Sequence, residues 1–277
     1  HLRNFGITRE GGGRWSWDQV TTIDDANLDI ITDSKIGIYH LAGWYDIYTT
    51  QQAWLYAALE GNVSQKMMIG PWMHSGGYGG IVHLAEILRW YDYWLKGIDN
   101  GVMTEPPVHY YLMRGNHTTP ENTTVLVPTL DEAVAEDGSV WEATSVWPPE
   151  VKKVRFWLDQ GPSGTVASKN DGVLSDIAPI KAGHDEYRVD YTSTVGAFSR
   201  WMNGYGRRRE DIENSTYLDE RTNENEKALT YTSSVLDDDM QLIGYPTMHM
   251  SVKSSHEDGD FFVYLEEIDG EGKSHYV

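Results

Sequence analysis

An aspartate and a histidine, at positions 46 and 74, each end a short string of residues that follows an apolar run. Asp46 ends the string Gly43-Trp44-Tyr45-Asp46, and His74 ends the string Gly70-Pro71-Trp72-Met73-His74. The apolar runs before these strings are typical of buried strands. In a Ser-His-Asp triad, a carboxylate orients an imidazole that moves the proton of a serine hydroxyl. The sequence therefore offers the acid and the base of an acyl-transfer site.

The elements around these two residues follow a strand–helix–strand–helix order. Glycines at positions 61 and 97 are expected to end the two helices. This order predicts a parallel sheet with crossover helices, in which the carboxyl ends of both strands lie at one edge. Strands are predicted over residues 35–42 and 66–70, and helices over residues 50–60 and 84–95.

Beyond the Pro106-Pro107 pair, the pattern changes to short strand-like segments joined by turns. No convincing helix is predicted after about residue 100, so we expect a second, all-β domain that forms a two-sheet sandwich or jelly roll. The predicted domains are residues 1–105 and 106–277. We expect more chain beyond residue 277, because the last strand would leave a sheet edge unpaired, and more chain before residue 1, because the first strands of such a fold are missing. The predicted strands cover residues 108–113, 154–158, 186–191, 229–232, 247–253, 261–268 and 273–277, with a hairpin turn at residues 269–272.

The composition excludes several classes of function. The net charge is −20 and the pI about 4.7, which argues against nucleic acid as a partner because no basic stripe neutralises phosphates. The chain has no cysteine, which excludes disulfides, thiolate metal sites and a cysteine nucleophile. No apolar run reaches the ~20 residues that a membrane span needs. The sequence determines neither the compartment nor the oligomeric state, and a homo-oligomer is one possibility.

The chain resembles the CocE/NonD hydrolases, the family of cocaine esterase, X-Pro dipeptidyl-peptidase and α-amino-acid ester hydrolase. The motifs that carry the resemblance occur in the order typical of that family and are distributed over most of the chain. They are residues 43–46, 70–74, 89–97, 99–102, 229–233, 244–247 and 258–265.

The resemblance implies a fold, a reaction and two catalytic residues. The fold would be the C-terminal portion of an α/β-hydrolase domain followed by a galactose-binding-like jelly roll. Asp46 would be the triad acid and His74 the general base, in the Ser…Asp…His order of α/β-hydrolases. The substrate would be a small ester or a short peptide, and neither metal nor organic cofactor would be needed. Taken alone, Asp46 also suits a turn cap and His74 a loop histidine, but their matched flanks favour catalysis.

One departure from the family pattern concerns the nucleophile. The Gly-x-Ser-x-Gly elbow expected upstream of the acid is absent from residues 1–277. We therefore expect the nucleophilic serine to lie outside this chain. Ser75 is a poor substitute, because it shares the loop of the general base and has no elbow. The alternative function is a non-catalytic β-sandwich that binds a carbohydrate or another ligand on a degenerate hydrolase scaffold.

Other residues of interest are aromatic, acidic or histidine side chains. Trp44, Tyr45 and Trp72 are candidates for the wall of an acyl pocket, with core packing as an equal alternative. The acidic clusters at residues 237–239 and 257–260 contain Ca²⁺-type ligands, but without EF-hand spacing, so solvated turns are preferred. The histidines at positions 40, 83 and 109 share no metal-ligand spacing, and no metal site is predicted.

Overall fold

The computed structural model describes residues 25–46, 48–73, 80–113, 140–193 and 221–277. The elements in the first half of the chain are α1 (Asp25–Ser34), β1 (Ile38–Tyr45), α2 (Thr49–Ala58), β2 (Gln65–Met73), α3 (Gly80–Lys96), β3 (Val108–Leu112) and β4 (Val140–Thr144). The elements in the second half are β5 (Trp157–Asp159), β6 (Gly172–Ser175), α4 (Thr222–Asn225), β7 (Tyr231–Thr232), β8 (Glu266–Ile268) and β9 (Ser274–Tyr276).

The predicted strand–helix–strand–helix order of β1, α2, β2 and α3 is confirmed. The first four strands form one sheet in chain order. β1 pairs with β2 and β2 with β3 in parallel, and β4 joins β3 antiparallel. Gly97 ends α3 with a φ of 70°, a left-handed conformation that glycine adopts without steric cost. The predicted helix stop at Gly97 is therefore also confirmed.

Side chains that alternate along these strands fill two separate cores. Ala42, Met67 and Ile69 point to the face covered by α2, where they pack with Tyr56 and Trp147. On the other face, Met68 packs with Val82 of α3. Because successive strand residues face opposite sides, a strand buried on both faces reads as a continuous apolar run. This burial explains why β2 was recognisable from its sequence.

The second half of the described chain contains two small sheets. β5, β6 and β7 form one, with β5–β6 antiparallel and β6–β7 parallel. β8 and β9 form a hairpin, and its turn is closed by the N–H of Asp269, which donates to the carbonyl of Lys273 at 2.9 Å. The predicted turn at residues 269–272 is confirmed. Among the described residues the sheets are mixed and none closes into a barrel.

Several predicted elements differ from the structure. Residues 186–191 and 247–253 form no strand, and of residues 261–268 only Glu266–Ile268 does. Residues 186–191 and 247–253 alternate apolar and polar residues, and residues 261–265 form a continuous apolar run. A strand nevertheless forms only where a partner backbone takes its hydrogen bonds. Within the described ranges, two helices were also missed: α1, and the single turn α4, which corrects the expectation of no helix after residue 100.

The strand at residues 108–113 occurs as β3, but it pairs with β2. The sheet that contains β1 therefore continues past residue 105 to Thr144. The division of the chain at residues 105 and 106 stays a prediction, and strand pairing alone would place it after β4. Among the helices that the structure describes, none is long and apolar enough to cross a bilayer.

Candidate functional site

Asp46 stands in a tight turn between β1 and α2. Its side chain is buried, with 8% of its surface exposed. The N–H of Asp46 donates to the carbonyl of Gly43 at 2.8 Å, and its carboxylate Oδ1 accepts the N–H of Tyr48 at 2.9 Å. An aspartate that accepts the N–H two residues ahead forms an Asx turn, which fixes the side-chain torsion. The local sequence thus helps to fix the orientation of this carboxylate.

The register of β1 and β2 brings their last residues side by side. Gly43 pairs with Gly70, and Tyr45 pairs with Met73, the final residue of β2. Between these two pairs the register shifts by one residue, and the extra residue lies on β2 next to Pro71, which has no N–H for the ladder. Asp46 follows Tyr45 directly, and His74 follows Met73 in the sequence but lies outside the described residues.

Of the three predicted pocket residues, the structure describes the side chain of one. The indole Nε1–H of Trp44 donates to the carbonyl of Tyr111 at 2.7 Å, and its ring lies 6.5 Å from the ring of Trp147. These contacts anchor Trp44 in the core on the α2 face. Its role in a substrate pocket stays a prediction. The backbones of Tyr45 and Trp72 lie in β1 and β2, and their side chains are outside the described part of the chain.

A buried ionic network below α3 was missed by the sequence analysis. Lys66, 1% exposed, places its Nζ 2.9 Å from Glu105 and 3.0 Å from the carbonyl of Val102. Arg89 binds Glu105 at 2.5 Å and Glu86 at 2.6 Å. Burial lowers the pKa of Lys66, while its bond to Glu105 opposes that shift. In the sequence, the only sign of this network is the charge of Lys66 at the start of a strand predicted to be buried.

The three histidines that the sequence analysis weighed lie on three different elements, β1, α3 and β3. His40 is held between Gln52 and Gln65, each at 3.2 Å from a ring nitrogen, and burial lowers its pKa. Burial also lowers the pKa of His83, to about 4, and the pKa of His109. In the part of the chain that the structure describes, no group of three His, Asp or Glu residues could hold a metal ion.

The two acidic clusters are exposed to solvent. Residues 237–239 and 257–260 lie at the surface, and the carboxylate of Asp258 accepts the N–H of Gly259 at 2.8 Å. The exposure of both clusters agrees with their interpretation as solvated turns, which stays a prediction.

Comparison with known proteins defines the class of this chain. Residues 100–277 match the family model of the X-Pro dipeptidyl-peptidase C-terminal non-catalytic domain. The chain belongs to this family, and the predicted resemblance to the cocaine esterase and X-Pro dipeptidyl-peptidase group is confirmed.

Three relatives show the range of the group. A Mycobacterium bovis protein provisionally named a serine esterase is 28% identical over 279 residues, which is 93% of this chain and 38% of that protein. A Bacillus anthracis protein provisionally named a Xaa-Pro dipeptidyl-peptidase is 38% identical over 96 residues, 33% of this chain and 15% of the relative. Cocaine esterase of a Rhodococcus species is 23% identical over 252 residues, 84% of this chain and 38% of that enzyme. The chain thus spans less than two fifths of the length of these relatives.

Proposed function

We propose that this chain is part of a serine hydrolase that cleaves an ester or an amide bond. Asp46 is its triad acid, His74 its general base, and the nucleophilic serine lies outside residues 1–277. The observation that carries the proposal is the pairing of Tyr45 with Met73, because the residues that follow them are Asp46 and His74. The carboxyl ends of adjacent parallel strands share one sheet edge, where catalytic loops of α/β folds lie.

The chemistry follows from these assignments. His74 accepts the serine proton as the serine oxygen attacks the carbonyl carbon, and it then gives that proton to the departing alcohol or amine. A water molecule, deprotonated by His74, hydrolyses the acyl-enzyme and restores the free serine. Asp46 holds the tautomer of His74 and stabilises the imidazolium. We further propose that the fold is the one expected from the sequence, the C-terminal portion of an α/β-hydrolase domain followed by a jelly roll.

The relatives support the reaction class and suggest the substrates. They are named as esterases and dipeptidyl-peptidases. We infer an acyl ester, an α-amino-acid ester or an X-Pro dipeptide as the substrate class. The choice among these depends on pocket shape.

A fluorophosphonate probe tests the proposal, since it labels only an activated serine. The protein isolated from its source is labelled, and the modified peptide is found by mass spectrometry. We expect the label on a serine outside residues 1–277. A label on Ser75, or on any other serine of this chain, would contradict the assigned nucleophile.

Substitution of the proposed base gives an independent test in the same full-length protein. His74→Ala should abolish labelling and lower kcat by on the order of 10⁶, as loss of a triad base does. His184→Ala is the matched control, because His184 is highly exposed, at 82%. Near-normal activity of folded His74→Ala protein would remove His74 from the mechanism.

The second candidate is a binding module without catalysis. It is favoured by one observation, that the family matched by residues 100–277 is described as non-catalytic. This candidate predicts a folded protein that takes up no fluorophosphonate and whose upstream sequence has no Gly-x-Ser-x-Gly elbow. Labelling on an upstream serine would exclude it.

A further inference from the structure

Aromatic side chains connect the segment at residues 243–245 with both flanks of the turn that holds Asp46. We call Tyr245, Trp147, Trp44 and Trp54 the aromatic bridge. Trp44 lies two residues before Asp46 on β1, and Trp54 lies on α2, which follows the turn. Tyr245 belongs to the region matched by the non-catalytic family model. The bridge therefore joins that region to the strand and the helix on either side of the proposed triad acid.

Each link of the aromatic bridge is a direct contact. The indole Nε1–H of Trp147 donates to the hydroxyl of Tyr245 at 2.9 Å. The ring of Trp147 lies 6.5 Å from the ring of Trp44, tilted by 34°, and the ring of Tyr245 lies 6.4 Å from that of Trp54. Such tilted pairs at 4.5–7 Å are favourable beyond the area they bury. Ile243 also packs against the core on the α2 face.

The hydrogen bond to Tyr245 is the link most open to a precise test. Trp147 is buried, with 6% of its surface exposed, and a buried indole N–H without an acceptor destabilises the fold. At the other end of the bridge, the indole of Trp44 is fixed by its hydrogen bond to the carbonyl of Tyr111. A change at Tyr245 is therefore expected to shift Trp147, and the ring contact of Trp147 then presses on Trp44 against this single anchor.

We propose that Tyr245 is a positioning residue for Asp46, acting through Trp147 and Trp44 on one flank of the turn and through Trp54 on the other. The role rests on the proposed function, and it gives the segment at 243–245 a part in catalysis without contact with substrate. A catalytic carboxylate must be held within about 0.5 Å of its productive position, so loss of a supporting contact lowers the rate.

The test is Tyr245→Phe in the full-length protein, with Tyr191→Phe as control because Tyr191 is 93% exposed. We expect kcat to fall about threefold to tenfold, the factor expected for one lost hydrogen bond, while KM stays within about twofold. The acidic limb of kcat/KM should move to lower pH, because a displaced carboxylate stabilises the imidazolium of His74 less. Tyr191→Phe should leave kcat, KM and the pH profile unchanged.

A purely structural role would give a different result. It predicts a lower thermal midpoint for Tyr245→Phe with unchanged kcat and an unchanged pH profile, and that outcome would overturn the proposal. If Tyr245→Phe does not fold, Trp147→Phe removes the same hydrogen bond from the donor side. Where both single variants fold, the double variant should be no slower than the slower single one. The proposed function itself fails if the wild-type protein hydrolyses no substrate or if His74→Ala is fully active. Neither of these results involves a Tyr245 variant, so the two failures can be told apart.

Discussion

The hydroxyl of Thr49 donates a hydrogen bond to the carbonyl oxygen of Gly43, and this bond closes the turn that contains Asp46. The same carbonyl accepts the N–H of Asp46 at 2.8 Å. Gly43 is paired with Gly70 across the sheet, so the turn is tied to β2 as well as to β1. Thr49 is also the first residue of α2, so its side chain ties the first turn of the helix to the end of the strand.

Replacing Thr49 by valine should loosen this turn. Valine keeps the branched shape but has no hydroxyl donor, so we expect the free energy of unfolding to fall by about 1 kcal/mol. In the full-length protein kcat should fall as well, because Asp46 loses its support. Urea unfolding and initial rates measure the two effects. Thr49→Ser keeps the donor and should behave nearly as wild type; wild-type stability of Thr49→Val, with a loss in Thr49→Ser, would show that the methyl group, not the hydroxyl, matters.

A second prediction concerns Gly37, which lies beneath the indole of Trp94. A Cβ atom at Gly37 would be 2.5 Å from Cε2 of Trp94, a distance that real contacts do not reach. The indole is rigid and packs against Trp90 at 5.6 Å, so it cannot move without disturbing α3. We expect Gly37→Ala to lower the free energy of unfolding by about 1–3 kcal/mol, as overpacking does.

Two further variants separate the clash from the general effect of a new methyl group. Gly183→Ala is the matched control, because no atom lies within 4 Å of its added Cβ, and its stability should be close to that of wild type. Trp94→Leu removes the opposing ring, so Gly37→Ala should cost less in that background. Additive effects of the two substitutions would contradict direct contact as the cause.

The elements that carry Asp46 were predictable because their signals are local. The apolar runs of β1 and β2 are buried on both faces, and glycines after α2 and α3 mark where those helices end. The buried position of Asp46 at a strand end also follows from this pattern. Its turn contacts use residues within three positions of it, which sequence-local reasoning can reach.

The remaining features depend on partners that are distant in the sequence. The segment at residues 247–253 has strand-like alternation, yet its Met248 and Val252 are exposed, at 41% and 51%, because no described strand pairs with them. Trp147 and Tyr245 are 98 positions apart in the sequence, and no sequence motif predicts their contact. In α1 only Leu28 and Ile31 lie at helical spacing, while Ile30 is exposed, so the apolar face of that helix is too short to be recognised and the helix was missed.

The pair of Lys66 and Glu105 predicts unequal effects of removing either partner. Glu105→Gln leaves a buried ammonium without a carboxylate and should cost about 3–5 kcal/mol. Lys66→Met should cost less, about 1–2 kcal/mol, because Glu105 is partly exposed and keeps Arg89 at 2.5 Å. Urea unfolding at neutral pH measures both, and equal losses would contradict the assigned asymmetry.

The same pair predicts a dependence of stability on acid. Burial alone would raise the pKa of Glu105, but the hydrogen bond and charge of Lys66, together with Arg89, lower it below its ordinary value of 4.5. The folded state therefore favours the carboxylate, so its contribution is present above pH 4.5 and is lost as pH falls through the lowered pKa. Glu105→Gln should remove this part of the acid dependence, which unfolding midpoints between pH 3 and pH 7 would measure; a variant with the wild-type slope would contradict it.

Arg221 joins the start of α4 to the terminal hairpin, and its substitution gives the last prediction. It is 6% exposed, binds Glu266 at 2.5 Å and the hydroxyl of Tyr276 at 2.6 Å, and its guanidinium lies 4.1 Å from the ring centre of Tyr264. Lysine lacks the planar fork that makes these contacts together, so Arg221→Lys should lower the free energy of unfolding by about 3 kcal/mol. The control is Lys96→Ala, which removes an exposed ion pair with Asp92 and should change it by less than about 0.5 kcal/mol. If thermal and urea unfolding showed the two variants equally stable, charge alone, and not the stacked geometry, would account for the role of Arg221.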